Sequence, residues 1–352
     1  MEIKGEQIMF LLGAGASYEA KIPISNQMVG QIEKLIIEDP DWRPYRELYY
    51  YLKSSIHYSE GIFGKFGEPF NVEKLLVVIS EIEKRDRNIV YPFIGSWNIR
   101  LIDLAGSDFK KITNFKKLIR KKLNSWVRVK NYENDASYYN GFITLSREIG
   151  NAVKVFTFNY DLCFERVVGK ELQVETGFNR TSREWHYSNF EDSLEKHFFL
   201  YKLHGSIDWY TKPNEPNKLF QSDEPEDNPE LIFGIQNKLD SIDPYFFYTS
   251  ELRKSTLEDS KLIITIGYSF SDDYANKILT QALNSKDDLR LLTVGYSNES
   301  VENEKELIQK RLDLKSNNQI NVYLKGAKSF MTDTMNKDYL SDFITNSEDA
   351  PF

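Results

Sequence analysis

Four short segments of the 352-residue chain concentrate groups that bind phosphate, hold an amide or move a proton. Gly13-Ala14-Gly15-Ala16-Ser17 follows the apolar run Ile8-Met9-Phe10-Leu11-Leu12. A Gly-x-Gly turn opening onto a helix lets backbone amides approach a pyrophosphate, although the third glycine of the dinucleotide fingerprint is missing and such turns also occur without a ligand. Asn159-Tyr160-Asp161 follows the run 153–158 and offers an amide and a carboxylate, residue types that also serve simply as helix caps. His204-Gly205-Ser206 follows 198–203 and offers an imidazole, whose pKa near neutrality suits proton transfer; from position alone a buried, hydrogen-bonded core histidine is the plainer account. Gly267-Tyr268-Ser269 closes the run 262–266.

Something must bring these segments to one place. Each follows an apolar run of strand length, and further runs lie at 289–294 and 320–324. Helical patterns fall between them. After Pro23, Ser25 is expected to cap a helix with Met28, Val29, Ile32, Leu35 and Ile36 on one face; another helix follows Ser271, with Asp272 and Asp273 in its first turn, and a third spans 301–314. Alternating strands and helices predict an α/β fold, a Rossmann-like mostly parallel sheet with helices on both faces. In such a sheet ligands bind at the carboxyl ends of the strands, where all four segments would sit. From about Asp41 to Gly150 the pattern becomes amphipathic and helical, including 72–82 behind an Asn71 cap and 115–126. The expected organisation is therefore a sheet domain from 1–40 and 150–352 with a large helical insertion at 41–149. The stretch 211–230, acidic and holding Pro213, Pro216, Pro225 and Pro229, reads as an exposed loop.

Composition narrows the function classes. With 41% hydrophobic and 28% charged residues the chain reads as an ordered globular protein. The single cysteine, Cys163, excludes an internal disulfide and a cysteine-based zinc module. No run of eighteen apolar residues and no secretory pattern is present, so a cytoplasmic protein without a membrane anchor is expected. A net charge of -8 argues against a surface built throughout for nucleic acid. The stretch 109–130 holds Lys110, Lys111, Lys116, Lys117, Arg120, Lys121, Lys122, Arg128 and Lys130 with no acidic residue. Interleaved Ile112, Phe115, Ile119, Leu123 and Trp126 make it an amphipathic helix with a solvated basic face, so nucleic acid is not the favoured partner.

Taken together the motifs resemble the sirtuin-like NAD-binding family. Gly13 to Ser17 is similar to its phosphate turn, Ala20-Lys21-Ile22-Pro23 to its Ala-Gly-Ile-Pro loop, and Asn159-Tyr160-Asp161 to its Asn-Ile-Asp element. Leu203-His204-Gly205-Ser206 resembles the motif of the catalytic histidine, and Gly267-Tyr268-Ser269 the later Gly-Thr-Ser element. The resemblance implies His204, Asn159 and Asp161 as catalytic residues, and Gly13, Ala14, Gly15, Ser17, Pro23, Gly267 and Ser269 as NAD-binding residues. Two departures matter. The deacylating members carry a four-cysteine zinc module, and they follow Ile-Pro with Asp-Phe-Arg where this chain has Ile24-Ser25-Asn26. The chain therefore looks like the zinc-free members found in bacterial antiviral defence, with Asn71-Val72-Glu73-Lys74-Leu75-Leu76 similar to a segment common among them.

That resemblance implies NAD as substrate, no metal, and hydrolysis to nicotinamide and ADP-ribose by an anti-phage effector. It also implies regulation by homo-oligomerisation or by a separately encoded partner such as an ATPase. The rival readings are a non-catalytic NAD or ADP-ribose-binding module that regulates such a partner, and an NAD-dependent protein deacylase. His57, His186 and His197 share no metal-ligand spacing, and Cys163 reads as a small buried apolar residue.

Overall fold

The computed structural model describes residues 4–64, 69–84, 99–106, 108–191, 195–231 and 243–345. Parts of the expected helical insertion, at 65–68, 85–98 and 107, and the first three residues of the N-terminal segment lie outside the described residues. The chain divides into two compact units, one of Met1–Ile22 with Arg128–Phe352 and one of Pro23–Val127. Helix Ser25–Glu38 thus groups with the helical unit, and residues 128–149 group with the sheet.

Strands β1 (Ile8–Leu12), β2 (Val153–Thr157), β3 (Val174–Glu175), β4 (Phe198–Lys202), β7 (Leu262–Ile266), β8 (Arg290–Val294) and β9 (Ile320–Tyr323) form one sheet in the order β3-β4-β2-β1-β7-β8-β9. Every pairing in it is parallel. Apart from the edge strand β3, this is the doubly wound order 3-2-1-4-5-6. Strand β1 lies at its centre between β2 and β7, which is why all five of its residues are apolar and buried. Leu12 is in register with both Thr157 and Ile266, and Thr157 with Lys202, so the four strands end level and release their loops along one edge.

Helices cover both faces. Met9, Leu11, Tyr201, Ile263 and Leu291 share a core with Tyr248, Leu252, Ile278, Leu279 and Ile308, which come from helices Tyr245–Lys254, Asp273–Ser285 and Val301–Arg311. On the opposite face Phe10 meets Phe142 edge-on with ring centres 5.0 Å apart, and Phe198 meets Phe142 and Phe164. Those rings belong to helices Asn140–Ile149 and Cys163–Val167.

Three local expectations change. Part of the expected loop 211–230 is an antiparallel hairpin of β5 (Trp209–Lys212) and β6 (Glu215–Gln221), pairing Tyr210 with Phe220 and Thr211 with Leu219. Pro216 obscures the alternation in the sequence, yet a two-stranded ribbon has room for a proline at its edge, and Lys212 Nζ packs 3.6 Å over the Phe220 ring. Ser25 is the first helical residue, not the cap. Asp272, expected in the first turn of the helix after Ser271, is instead the cap of helix Asp273–Ser285, accepting from Ala275 N at 2.9 Å.

The helical unit contains helices Ser25–Glu38, Arg46–Ile62, Val72–Glu83, Ile99–Ala105 and Lys110–Val127. Asn71 caps the third of these through Lys74 N at 2.8 Å. Helix Lys110–Val127 buries Ile112, Phe115, Ile119 and Leu123, with Phe115 stacked on Tyr45 at 4.9 Å. Its basic face is partly neutralised within the unit, Lys116 pairing with Glu83 at 2.6 Å. Among the described residues no helix is long and apolar enough to cross a membrane.

Candidate functional site

The loops after β1 and β7 interlock before either reaches solvent. Gly13 N donates to Ile266 O at 2.9 Å, Gly15 N to Gly267 O at 3.0 Å, and Ala16 N to Gly13 O at 2.9 Å. A Cβ at Gly13 would stand 2.6 Å from Gly267 O, and one at Gly267, which has φ +61°, would stand 2.2 Å from Ala16 N. The glycines therefore let two backbones touch, as the absence of a side chain allows. The amides of Gly13 and Gly15 are spent inside the protein, which leaves exposed Ala14 at the tip of the turn.

Beneath this turn Ser17 is buried, its hydroxyl 3.0 Å from the Tyr139 hydroxyl, while the neighbouring Tyr138 donates to Ala16 O at 2.7 Å. Burial pushes the Tyr139 phenol well above its usual range, so it stays neutral and keeps its proton for that contact. Asn159 spans from β2 to the same turn: Nδ2 donates to Gly13 O at 2.9 Å and to the Ser17 hydroxyl at 3.2 Å. Its backbone N donates to Thr157 Oγ1 at 3.0 Å. A carbonyl only accepts, so the Gly13 contact fixes which end of the amide is nitrogen and leaves Oδ1 as the acceptor Asn159 can offer a ligand.

Asp161 is buried, and its Oδ1 accepts from Cys163 N at 2.9 Å in a tight turn. Behind it the buried Lys202 of β4 donates to Asp161 O at 2.5 Å and to Glu165 Oε1 at 2.7 Å. Burial works against the Lys202 charge, but the carboxylates of Glu165, Asp208 and Asp161 outweigh it and hold its pKa above the ordinary value. Burial, then the Asp161 charge, push the Cys163 thiol well up, in keeping with a packed apolar role for this residue.

His204 is buried one strand over. Its ring lies edge-on to Phe158 at 5.0 Å and tilted to Tyr160 at 6.1 Å, the two residues that flank Asn159. Ile207 N donates to Tyr160 O at 3.1 Å and Leu203 N to Thr157 O at 2.8 Å, tying the two loops together. His204 Nε2 lies 3.5 Å from Asp272 Oδ2. Tyr268 stacks on Phe158 at 5.2 Å and donates to Asn276 Oδ1 at 2.9 Å. Ser269, by contrast, is exposed and pairs with the Ser271 hydroxyl at 2.9 Å. Pro23 is the first residue of the helical unit and is partly exposed.

Gly13, Gly15, Ser17, Asn159, Asp161, His204 and Gly267 are thus linked along one sheet edge. Asp272 and the Tyr138-Tyr139 pair join them, and the sequence reading did not assign them to the site. Asp272 was legible only as a helix-starting charge; its place directly after the fourth strand end was the available clue. Two further groups stand out: Ser206 Oγ and Asp208 Oδ1 are buried with no hydrogen-bond partner among the described residues. Such groups are costly unless something else satisfies them. Also among the described residues, no group of three or more His, Cys, Asp or Glu is placed to hold a metal ion.

A family model described as a SIR2-like domain matches residues 153–323, and this match supports a sirtuin-like family. No curated protein matches the chain. Solved structures similar to it include one of Sir2Tm bound to a propionylated peptide, with 13% identity, 92% of this chain and 90% of that chain covered, and a TM-score of 0.36. A second, described as the structural basis of sirtuin substrate affinity, has 15% identity, covers 92% and 91%, and has a TM-score of 0.39. A third, described as Sir2, a p53 peptide and NAD+, has 14% identity, covers 92% and 90%, and has a TM-score of 0.38.

Proposed function

We propose that this chain hydrolyses NAD to nicotinamide and ADP-ribose in the cytoplasm. The observation that carries the reading is the linkage of the Asn159 amide, the His204 imidazole and the Gly13-to-Ser17 turn at the ends of three adjacent parallel strands. A dinucleotide fits this edge chemically. Polar groups at Ser17, Asn159 and Ser206 alternate with the aromatic walls of Phe158, Tyr160 and Tyr268. In this reading the exposed tip at Ala14 meets the phosphates, Gly13, Gly15 and Gly267 permit the close packing that presents that tip, and Ser17, expected from the sequence to bind phosphate, is instead buried beneath it and braces Asn159.

In the reaction the C1′–N bond breaks, and its electron pair stays on the nicotinamide nitrogen, which thereby becomes neutral. Positive charge develops on the ribose, and a water oxygen forms the new bond to C1′ as its proton leaves. Asn159 Oδ1 accepts a hydrogen bond from that water or from a ribose hydroxyl, which orients the attack. Asp161 steadies the ribose and the carboxamide. His204 takes the proton from the water, or from a ribose hydroxyl that relays it, and passes it to solvent. An acyl-lysine substrate is disfavoured because the single cysteine cannot build the four-cysteine zinc module of the deacylating relatives. The motif resemblance further supports a role as an NAD-depleting effector in anti-phage defence, held in check by self-assembly or by a separately encoded partner.

Chromatography of nicotinamide and ADP-ribose after incubation with NAD tests the reading. Release is expected from the wild-type chain, alone or with the proteins encoded beside it. It should fall at least about a hundredfold in both His204→Ala and Asn159→Ala, the scale of a lost acid-base or electrostatic group. NAD binding without nicotinamide release under all these conditions would make the chain a binding module instead, and release only with an acyl-lysine peptide would make it a deacylase.

A further inference from the structure

Lys202 is the last residue of β4, in register with Thr157 at the end of β2, and only 2% of its side chain is exposed. A lysine is rarely buried so fully unless its ammonium is paired. Nζ donates to Glu165 Oε1 at 2.7 Å and to the main-chain carbonyl of Asp161 at 2.5 Å. Burial favours the neutral amine, but the carboxylates of Glu165, Asp208 and Asp161 keep it charged, and a charged donor makes the shorter and stronger bond to a carbonyl. Compensation of the Glu165 charge accounts for one of the two bonds. The other goes to a group with no net charge to compensate.

That carbonyl belongs to the turn carrying Asn159 and Asp161. Three ties fasten β4 and its loop to this part of the chain: Leu203 N donates to Thr157 O at 2.8 Å, Ile207 N to Tyr160 O at 3.1 Å, and Lys202 Nζ to Asp161 O. Of the three, only the last is made by a side chain. It secures the far end of the turn, where Asp161 Oδ1 accepts from Cys163 N and the five-residue helix Cys163–Val167 begins. So short a helix does not hold itself in place, and Glu165, the other partner of Lys202, lies on it.

We infer that Lys202 is a positioning residue: by gripping Asp161 O it sets where the Asn159 amide and the Asp161 carboxylate stand relative to the strand that delivers His204. The inference rests on the proposed hydrolysis for its effect on turnover and on geometry alone for its hold on the turn. In this role Lys202 touches no substrate and exchanges no proton with it.

Variants of the full chain separate placing from charge compensation. Lys202→Met strands the Glu165 carboxylate in the interior and should melt at least about 5 °C below wild type. Lys202→Met/Glu165→Leu removes both charges and should regain more than half of that loss. Glu165→Leu alone keeps the bond to Asp161 O. In hydrogen–deuterium exchange, the backbone at 159–163 should exchange at least about tenfold faster in the double variant than in wild type, and within about threefold of wild type in Glu165→Leu, with 262–266 unchanged in both. The kcat for nicotinamide release should follow the same order, at least about tenfold lower in the double variant and within about threefold of wild type in Glu165→Leu. Wild-type protection at 159–163 or wild-type turnover in the double variant overturns the inference. So does a loss of the same size in Glu165→Leu, which would assign the effect to the ion pair, or failure of the double variant to fold, which would make Lys202 a folding residue. If the wild type releases no nicotinamide, the hydrolysis reading falls, and the exchange comparison alone decides whether Lys202 holds the turn.

Discussion

Replacing Asn159 by aspartate keeps the shape of the side chain and removes both donors that tie β2 to the first turn. Nδ2 bonds Gly13 O at 2.9 Å and the Ser17 hydroxyl at 3.2 Å, and each such bond contributes about 1 kcal/mol net. A carboxylate oxygen facing the Gly13 carbonyl adds an acceptor with no donor, costing about 1–3 kcal/mol more, so Asn159→Asp should lose about 2–4 kcal/mol at neutral pH once partial relief through Ser17 is allowed for. For a unit of this size that is a fall in melting temperature of roughly 5–10 °C. The loss should depend on pH. Only a protonated carboxyl can donate to the carbonyl, so folding raises the pKa of the introduced group above its unfolded value of about 3.9. Its stability is retained below that value and lost as pH rises through the folded pKa, so the deficit against wild type should be larger at about pH 7.5 than at about pH 4.5. Asn159→Ala titrates nothing at this position and should show a deficit that barely changes with pH. Thermal unfolding followed by tryptophan fluorescence, with wild type measured at each pH, reads all three proteins. An Asn159→Asp deficit that is absent, or that is the same at both pH values, would refute the amide orientation described here and the acceptor role assigned to Oδ1.

The remaining predictions concern the glycines and the thiol. Gly267→Ala meets backbone at 2.2 Å in a left-handed conformation and should cost more than about 3 kcal/mol or yield insoluble protein. Gly30→Ala, inside helix Ser25–Glu38 with nothing within 4 Å, should stabilise its unit by about 0.5–1 kcal/mol; paired urea melts check both, and a harmless Gly267→Ala would show that the loops do not touch. Cys163 is buried with its thiol pushed well up by burial, so under native conditions at neutral pH it should react with iodoacetamide far more slowly than the unfolded chain, as mass spectrometry would show; rapid native labelling would contradict the packing.

The central strands were legible because they are buried on both faces and therefore mostly apolar: β1 and 262–266 are recovered to the residue, and β2 and β4 to within about one. The hairpin after Trp209 was not, because an exposed ribbon needs only alternation, and Pro213 and Pro216 with a run of acids masked it. Within the site, residues placed by a strand end were readable from chain position alone. The use of each polar atom was not. Gly13 and Gly15 read as amide donors for a ligand, yet their hydrogens are consumed by Ile266 and Gly267, a fact fixed by strands 250 positions away in sequence. Asp272 was hidden for the opposite reason, because capping a helix fully accounts for an aspartate there and only three-dimensional proximity reveals its second oxygen beside His204.

The middle strand of the sheet is contributed by residues 8–12, whereas the stretch recognised by the family model begins at residue 153. A gene fragment trimmed to that stretch would leave Thr157 and Ile266 facing a gap where Leu12 belongs, with two unsatisfied backbone edges in place of paired ones. Any excised version of this protein must therefore carry its amino-terminal strand along, in cis or supplied as a separate peptide, before an inactive preparation can be blamed on chemistry.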